Sequence, residues 1–535
     1  MKKGKPSSGN DDIHVRTRNQ PGSYLNKQFD LSTTPDALRA LPTAFSSPPL
    51  SPGLQQSVHD LLGPSARPTL IQSLSLKYLF FAEPSDAYRR FLLASETGSG
   101  KSLAYLLPML HSLKMTEHLR STRSGPRALV LTPTHELSRQ LASFSKALVH
   151  HSRLRVQTSS RPNVAKVRMS AAEMANVFDG DNAEGEFELY PGPRTSHALD
   201  VLVGTPARVL RMARGRGSDK ELAENDQVQR RKSLVGRPEI SLSEIEWVVV
   251  DEADILFDAD FVDQTLSLLS DIAAARGKPV PAVNCDNESR SNAPVLLDYP
   301  FNFILTSATI PAALAAHLDS HHPEMARLVS PRLHRLPTHL AVEFAPYKSG
   351  NRNAEVLAKL KAIWRDDALA GRDNARIIIF ANTRARAGEM GTYLSESRVE
   401  NIVVTGQSHR QAGRGGRLLG SSKHLAGFLR PVPGEKILAH SQSSGGGGEE
   451  EVVVRGERES PRVLLSTSLL ARGLDFDPSV SHVFVLDPPK NMADFLHRAG
   501  RTARAGRSGK VILFGRAAGR GAGKLQEMRR LLAKC

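Results

Sequence analysis

Short apolar runs recur along the chain, each bounded by polar turn residues and several followed by a stretch of helical periodicity. Residues 91–93, 127–131, 200–203, 245–250 and 301–305 carry no polar alternation, which predicts strands of a parallel sheet covered on both faces. Leu54, Val58, Leu61 and Leu62 fall at helical spacing, and a helix is expected over 103–113. Beyond residue 353 the alternation resumes with a helix near 355–364 and strands at 377–380 and 462–465. The pattern predicts an α/β fold of two tandem units, each a parallel sheet flanked by helices: residues 41–330 and 354–516, joined by a linker at 331–353.

The remaining stretches lack that pattern. Residues 1–40 read as a disordered extension; they have no apolar core for a secretory signal, and Asp11 and Asp12 interrupt the basic run of an organellar one. Three polar or low-complexity stretches, 160–197, 211–240 and 415–460, the last containing Gly445–Gly448, are expected to loop out. The basic tail 517–535 ends in a short expected helix, which either extends a polyanion-binding surface or is simply solvated.

Composition narrows the partner. With 71 basic against 55 acidic residues the formal charge is +16, which favours a polyanion. Only 5% of residues are aromatic, so contact with a nucleic acid is expected through its backbone. No apolar run is long enough to span a bilayer, and Cys285 and Cys535 are too few and too far apart for a disulfide framework or a zinc site.

The candidate chemistry sits where strands end. The first strand runs into Ala94-Ser95-Glu96-Thr97-Gly98-Ser99-Gly100-Lys101-Ser102. Gly98 and Gly100 let the backbone wrap a polyphosphate, whose oxygens then meet amides at the positive end of a helix. Lys101 supplies a charge for the outer phosphates, and the Ser102 hydroxyl a ligand for Mg2+. This is a P-loop. Glycine makes up about 7% of ordinary chains, so the pattern arises by chance in about one chain of this length in fifty, and the segments around it must decide.

Upstream, the Gln72 side chain offers the donor and acceptor that match the edge of adenine, and Phe45 could stack on the base. Downstream, Pro133-Thr134 and Thr205-Pro206-Ala207-Arg208 end two strands; either could hold phosphates or simply cap a helix. Asp251-Glu252-Ala253-Asp254 follows the strongest strand, where Asp251 would hold Mg2+ through water and Glu252 would orient and deprotonate an attacking water. Ser307 and Thr309 could relay the state of the nucleotide.

These segments, in this order, resemble the DEAD-box RNA helicases of superfamily 2. The second half adds Gln411 and Arg414, Ser466-Thr467-Ser468-Leu469-Leu470-Ala471-Arg472-Gly473-Leu474-Asp475, and His497-Arg498-Ala499-Gly500-Arg501-Thr502-Ala503-Arg504. The resemblance covers about residues 45 to 515. It implies two RecA-like domains with ATP and Mg2+ between them. Arg501 and Arg504 would reach the γ-phosphate, Asp475 the ribose, and Gly473 the nucleotide, while Asp254 and His497 would couple the domains. RNA would lie across Pro133, Thr134, Thr205, Arg208, Arg414 and Thr467.

The expected protein is a monomeric, sequence-independent RNA-stimulated ATPase that unwinds short duplexes or remodels ribonucleoprotein. Its P-loop, its 467–476 segment and its large insertions are similar to the fungal mitochondrial branch of the family, associated with mitochondrial ribosome assembly. That likeness implies a mitochondrial location and a transit peptide; a nucleolar or cytoplasmic one is the alternative. His135 stands where the family usually has Arg, Ser468 where it has Asp, and the paired glycines expected between 150 and 200 are missing. An ATP-gated RNA clamp or assembly scaffold with little hydrolysis is therefore a rival reading. A GTPase is disfavoured, because Asn26-Lys27-Gln28-Phe29-Asp30 has the wrong spacing and position for a guanine-reading element.

Overall fold

The computed structural model describes residues 41–80, 88–119, 125–159, 199–215, 238–281, 296–337, 339–348, 350–404, 425, 427–429, 461–467, 474–503, 507–516 and 522–532. The first domain is a parallel sheet of β1 (Arg90–Ala94), β2 (Ala128–Leu131), β3 (Val156–Thr158), β4 (Val201–Gly204), β5 (Trp247–Val250), β6 (Asn302–Ser307) and β7 (Ala326–Val329). Their spatial order is β3-β4-β2-β5-β6-β1-β7. The second comprises β8 (Leu340–Tyr347), β9 (Arg376–Ala381), β10 (Asn401–Val404), β11 (Val463–Thr467), β12 (Val480–Val485) and β13 (Gly509–Arg516), in the order β10-β11-β9-β12-β13-β8. Set β8 to β13 against β1 to β6 and the two orders coincide strand for strand, so β8 is the counterpart of the P-loop strand.

Both faces of each sheet are covered, which is why the strands read as unbroken apolar runs. Leu93, Val130 and Val249 point to one face, under α1 (Pro52–Leu62), α2 (Leu70–Phe80), α3 (Lys101–Met115) and α4 (His135–Leu148). Leu92, Leu129 and Val248 point to the other, under α5 (Pro206–Arg214), α6 (Ala253–Leu256), α7 (Val262–Ala275) and α8 (Ala312–His321). In the second domain α9 (Arg352–Leu369) and α10 (Arg384–Glu396) cover one face, α11 (Met492–Ala499) and α12 (Ala522–Leu532) the other. Among the described residues no helix is long and apolar enough to cross a membrane.

Three expectations are corrected. The expected linker at 331–353 contains β8, paired with β13 from Leu340↔Gly509 to Tyr347↔Arg516. As an edge strand it is only half-buried and carries Glu343, which bridges Lys359 and Lys510, so it lacks the apolar run of an inner strand. The 415–460 stretch does not loop out entirely: Leu425 and Phe428 are buried in the core, and Leu429 bridges Phe476. The tail helix is not simply solvated, because Leu525 and Met528 are buried on the second sheet and Arg529 lies over the Phe344 ring. Each such burial stabilises by about 1.5–3 kcal/mol, enough to hold a short helix in place. The expected extension at 1–40, the expected insertion at 160–197 and most of the other two lie outside the described residues.

Candidate active site

The P-loop leaves β1 beside the Ser307 carbonyl, which accepts from Ser95 N–H at 3.1 Å. Gly98 (φ 82°) and Gly100 (φ 86°) take left-handed conformations, and α3 begins at Lys101 with no side chain capping its end. Its first-turn amides therefore remain for an anion. Lys101 is buried, and its Nζ donates to the carbonyls of Ser95 (2.7 Å) and Glu96 (3.0 Å). Burial lowers its pKa, against the pull of Glu252 and Asp251. Gln72, in the first turn of α2, accepts from Thr69 N–H at 2.9 Å and donates to the Gly100 carbonyl at 3.1 Å. It thus braces the P-loop as well as facing the cavity, where Phe45 forms part of the same wall.

Across the sheet, β5 delivers the acidic pair. Asp251 Oδ1 accepts from Thr306 Oγ1 (2.5 Å) and Glu252 N–H (3.0 Å), and Oδ2 accepts from the Tyr105 hydroxyl (3.0 Å). Burial and the neighbouring Glu252 charge push Asp251 up to about 6, against those donors and Lys101. Glu252 has the left-handed backbone φ 54°, ψ 52°, unusual for a residue with a Cβ. Its buried Oε2 has no hydrogen-bond partner, and 3.8 Å away His497 Nδ1 has none either. Two orphaned polar atoms facing one another, each costing about 1–3 kcal/mol, frame a place for a polar reactant.

The domains meet around that point. His497 Nε2 lies 2.7 Å from Asp254 Oδ2, which also accepts from Thr309 Oγ1 at 2.7 Å, while Ser307 Oγ donates to Asp254 Oδ1 at 3.0 Å. Arg501 is oriented by backbone carbonyls, donating from Nε to His497 (2.9 Å) and from Nη1 to Leu474 (2.6 Å). Gly500 abuts Thr97 of the P-loop so closely that a methyl group there would collide with the threonine side chain. A cavity of about 740 Å³ results, lined by Phe45, Gln72, Lys101, Asp251, Glu252, Asp475 and Arg501. Ser102 and Asp251 both line it with oxygen donors, and Asp251 keeps one of about four lone-pair sites unused, a set that fits Mg2+.

The profile of the DEAD/DEAH box helicase family matches residues 69–317, and that of the helicase conserved C-terminal domain matches 359–506. The chain belongs to the DEAD/DEAH box helicase family. This DEAD-box chain is 31% identical over 531 residues to the mitochondrial ATP-dependent RNA helicase MRH4 of Cryptococcus neoformans var. neoformans, covering 92% of itself and 87% of the relative. MRH4 of Saccharomyces cerevisiae is 27% identical, with 84% and 72% covered. Among solved structures, S. cerevisiae Dbp5 bound to RNA and ADP BeF3 is 19% identical with a TM-score of 0.57, covering 92% of this chain and 94% of that one. Mss116 bound to ssRNA and UDP-BeF is 15% identical with a TM-score of 0.54, covering 87% and 73%. These two likenesses establish the tandem RecA-like fold.

On the DEAD-box sheet the expected RNA residues of the first domain gather just past the C-terminal ends of the neighbouring strands β2 and β4. Thr134 caps α4, accepting from Leu137 N–H at 3.3 Å, and on the neighbouring strand Thr205 follows the end of β4 at Gly204. Arg208 Nε donates to the Ser159 carbonyl at 3.1 Å. Thr467 ends β11 in the other domain. His135 is exposed at the tip of α4; partial desolvation, then the field of Arg139, lowers its pKa against the pull of Glu136, with Arg208 and Arg211 adding to the lowering, so the ring is neutral near pH 7. Arg414, Gly473 and Arg504, with Gln411 and Ser468, lie outside the described residues. Sequence reasoning missed Tyr105, Thr306 and Gln140. It also missed Ser330, whose hydroxyl donates to Glu96 of the P-loop at 2.8 Å. Only Thr306, a hydroxyl within an apolar strand, carried any local signal.

Proposed function

We propose that the protein is an RNA-stimulated ATPase that closes two domains over ATP and single-stranded RNA and thereby separates short duplexes or remodels ribonucleoprotein. The split site carries this reading, since Lys101, Asp251 and Glu252 come from one domain and Arg501 and His497 from the other. On nucleotide binding Lys101 would exchange the Ser95 and Glu96 carbonyls for phosphate oxygens. Ser102 and Asp251 would hold Mg2+, which supplies positive charge beside the phosphates. Glu252 Oε2 and His497 Nδ1 frame the attacking water, and Glu252 takes its proton. Arg501 neutralises charge developing on the γ-phosphate. The products are ADP and phosphate, and their loss reopens the cleft.

RNA binding across Thr134, Thr205, Arg208 and Thr467 favours closure, and closure completes the site, so each ligand promotes the other. The named relatives are mitochondrial helicases, and we assign this chain to mitochondrial RNA metabolism and ribosome assembly. The neutral His135 favours the clamp as the second reading. ATP turnover with and without single-stranded RNA, alongside strand separation, tests both. Stimulated turnover with unwinding supports the helicase, RNA retention without turnover supports the clamp, and neither response would sink the proposal.

A further inference from the structure

Gln140 lies within α4, whose tip carries Pro133 and Thr134, and it reaches across the cleft. Its Oε1 accepts from Asp475 N–H at 2.7 Å, and its Nε2 donates to the Asp475 carbonyl at 2.9 Å. A primary amide suits such a task, because near neutral pH it presents one acceptor and one donor side by side to a backbone without introducing charge. The bonded N–H belongs to the Leu474–Asp475 peptide, and the carbonyl of that same peptide accepts from Arg501 Nη1 at 2.6 Å. A peptide unit is planar, so whatever fixes its N–H fixes its C=O. Gln140 of the first domain and Arg501 of the second thus hold opposite ends of one rigid group, in a chain whose bonds polarise one another.

We propose that Gln140 is a positioning residue for Arg501, acting through the Leu474–Asp475 peptide, and that it links RNA seated at the tip of α4 to the γ-phosphate side of the cleft. The inference rests on the reading of Arg501 as the residue that neutralises the γ-phosphate. From Thr134 to Gln140 the helix rises about 9 Å, short enough to move as one body. At the tip His135 is neutral where the family resemblance would put a cation. The link through Gln140 is likewise uncharged and should be insensitive to salt, unlike an ionic one.

The test compares RNA-stimulated turnover at saturating ATP and RNA for the full chain, Gln140→Ala, Arg501→Ala and the double variant. Gln140→Ala should lose about tenfold or more in kcat, the loss expected for two neutral hydrogen bonds. In the Arg501→Ala background it should remove no more than about a further twofold, because the group it positions is gone. Gln140→Glu keeps the acceptor but sets a carboxylate against the Asp475 carbonyl. Its rate relative to wild type should rise as pH falls from 8 to 5 and the donor is restored, while that of Gln140→Ala stays flat. Wild-type kcat in Gln140→Ala, a full independent loss in the double variant, or a flat pH response in Gln140→Glu would each overturn the proposal. Wild-type turnover in Arg501→Ala would overturn the assignment of Arg501 itself, and this inference with it.

Discussion

The two domains begin alike and part company at the first turn. In the first, β1 passes into Gly98 and Gly100, and α3 opens with no side chain on its amides. In the second, the equivalent β8 passes into α9, but Asn351 Oδ1 accepts from Ala354 N–H at 3.1 Å and both carboxylate oxygens of Glu355 accept from Lys348 N–H at 2.9 Å. The chain's own anion and amide occupy the end that the P-loop leaves to a ligand. A phosphate site is therefore no property of the strand order, which the two sheets share. It comes from withholding the local cap and using glycine where the backbone must turn left-handed.

The sharpest test asks what the capped domain contributes. If it supplied only scaffold, Arg501→Ala would keep turning over; the expected outcome is a loss of about three powers of ten in RNA-stimulated ATPase, with RNA binding by anisotropy retained. Next in size, Glu252→Gln should keep nucleotide binding and lose roughly two powers of ten in turnover, measured at saturating ATP and RNA. Gly100→Ala strains the left-handed turn by about 1–2 kcal/mol and drives a methyl group into the Gln72 amide. Its affinity for a fluorescent ATP analogue should fall at least about tenfold.

The smallest effect concerns the other helix end. Asn351→Ala should destabilise the second domain by about 1 kcal/mol while leaving nucleotide affinity unchanged. Denaturant unfolding followed by Trp364 in α9, in a Trp247→Phe background, would read that change, because the chain's two tryptophans lie one in each domain. Altered nucleotide affinity in Asn351→Ala would break the comparison.

Acidity gives a fifth check. Asp251 is raised to about 6 in the folded protein against an ordinary value of 3.8, so its ionised form is disfavoured by folding. Its unfavourable contribution appears as pH rises from about 4 through 6 and is absent below. With Asp251 in the proposed role of holding Mg2+, nucleotide binding in the presence of Mg2+ should weaken as pH falls below about 6.

What was legible in the sequence was whatever is local. The P-loop, the 251–254 acidic segment, the hydroxyls at Ser307 and Thr309 and the 497–501 segment each declare themselves within a few residues, because strand, turn and chemistry are contiguous. The strand Leu340–Tyr347 was hidden because an edge strand is covered on few sides and can carry Glu343 and Pro346. The tail helix did show its spacing, in Leu525 and Met528, but a spacing does not say which surface will receive it. Pairs such as Tyr105 with Asp251 and Gln140 with Asp475 join residues 146 and 335 positions apart, and nothing in either local pattern names the other.

The missing side chain at Gly500 sets the clearance of a joint. Thr97 seats against bare backbone with no room for a spacer, so the halves have little tolerance for a partly shut position. A machine with such a fit tends to be engaged or disengaged, with little in between. Hydrolysis would then be gated like a switch, its average rate set by how often the halves seat and hardly by how far they approach.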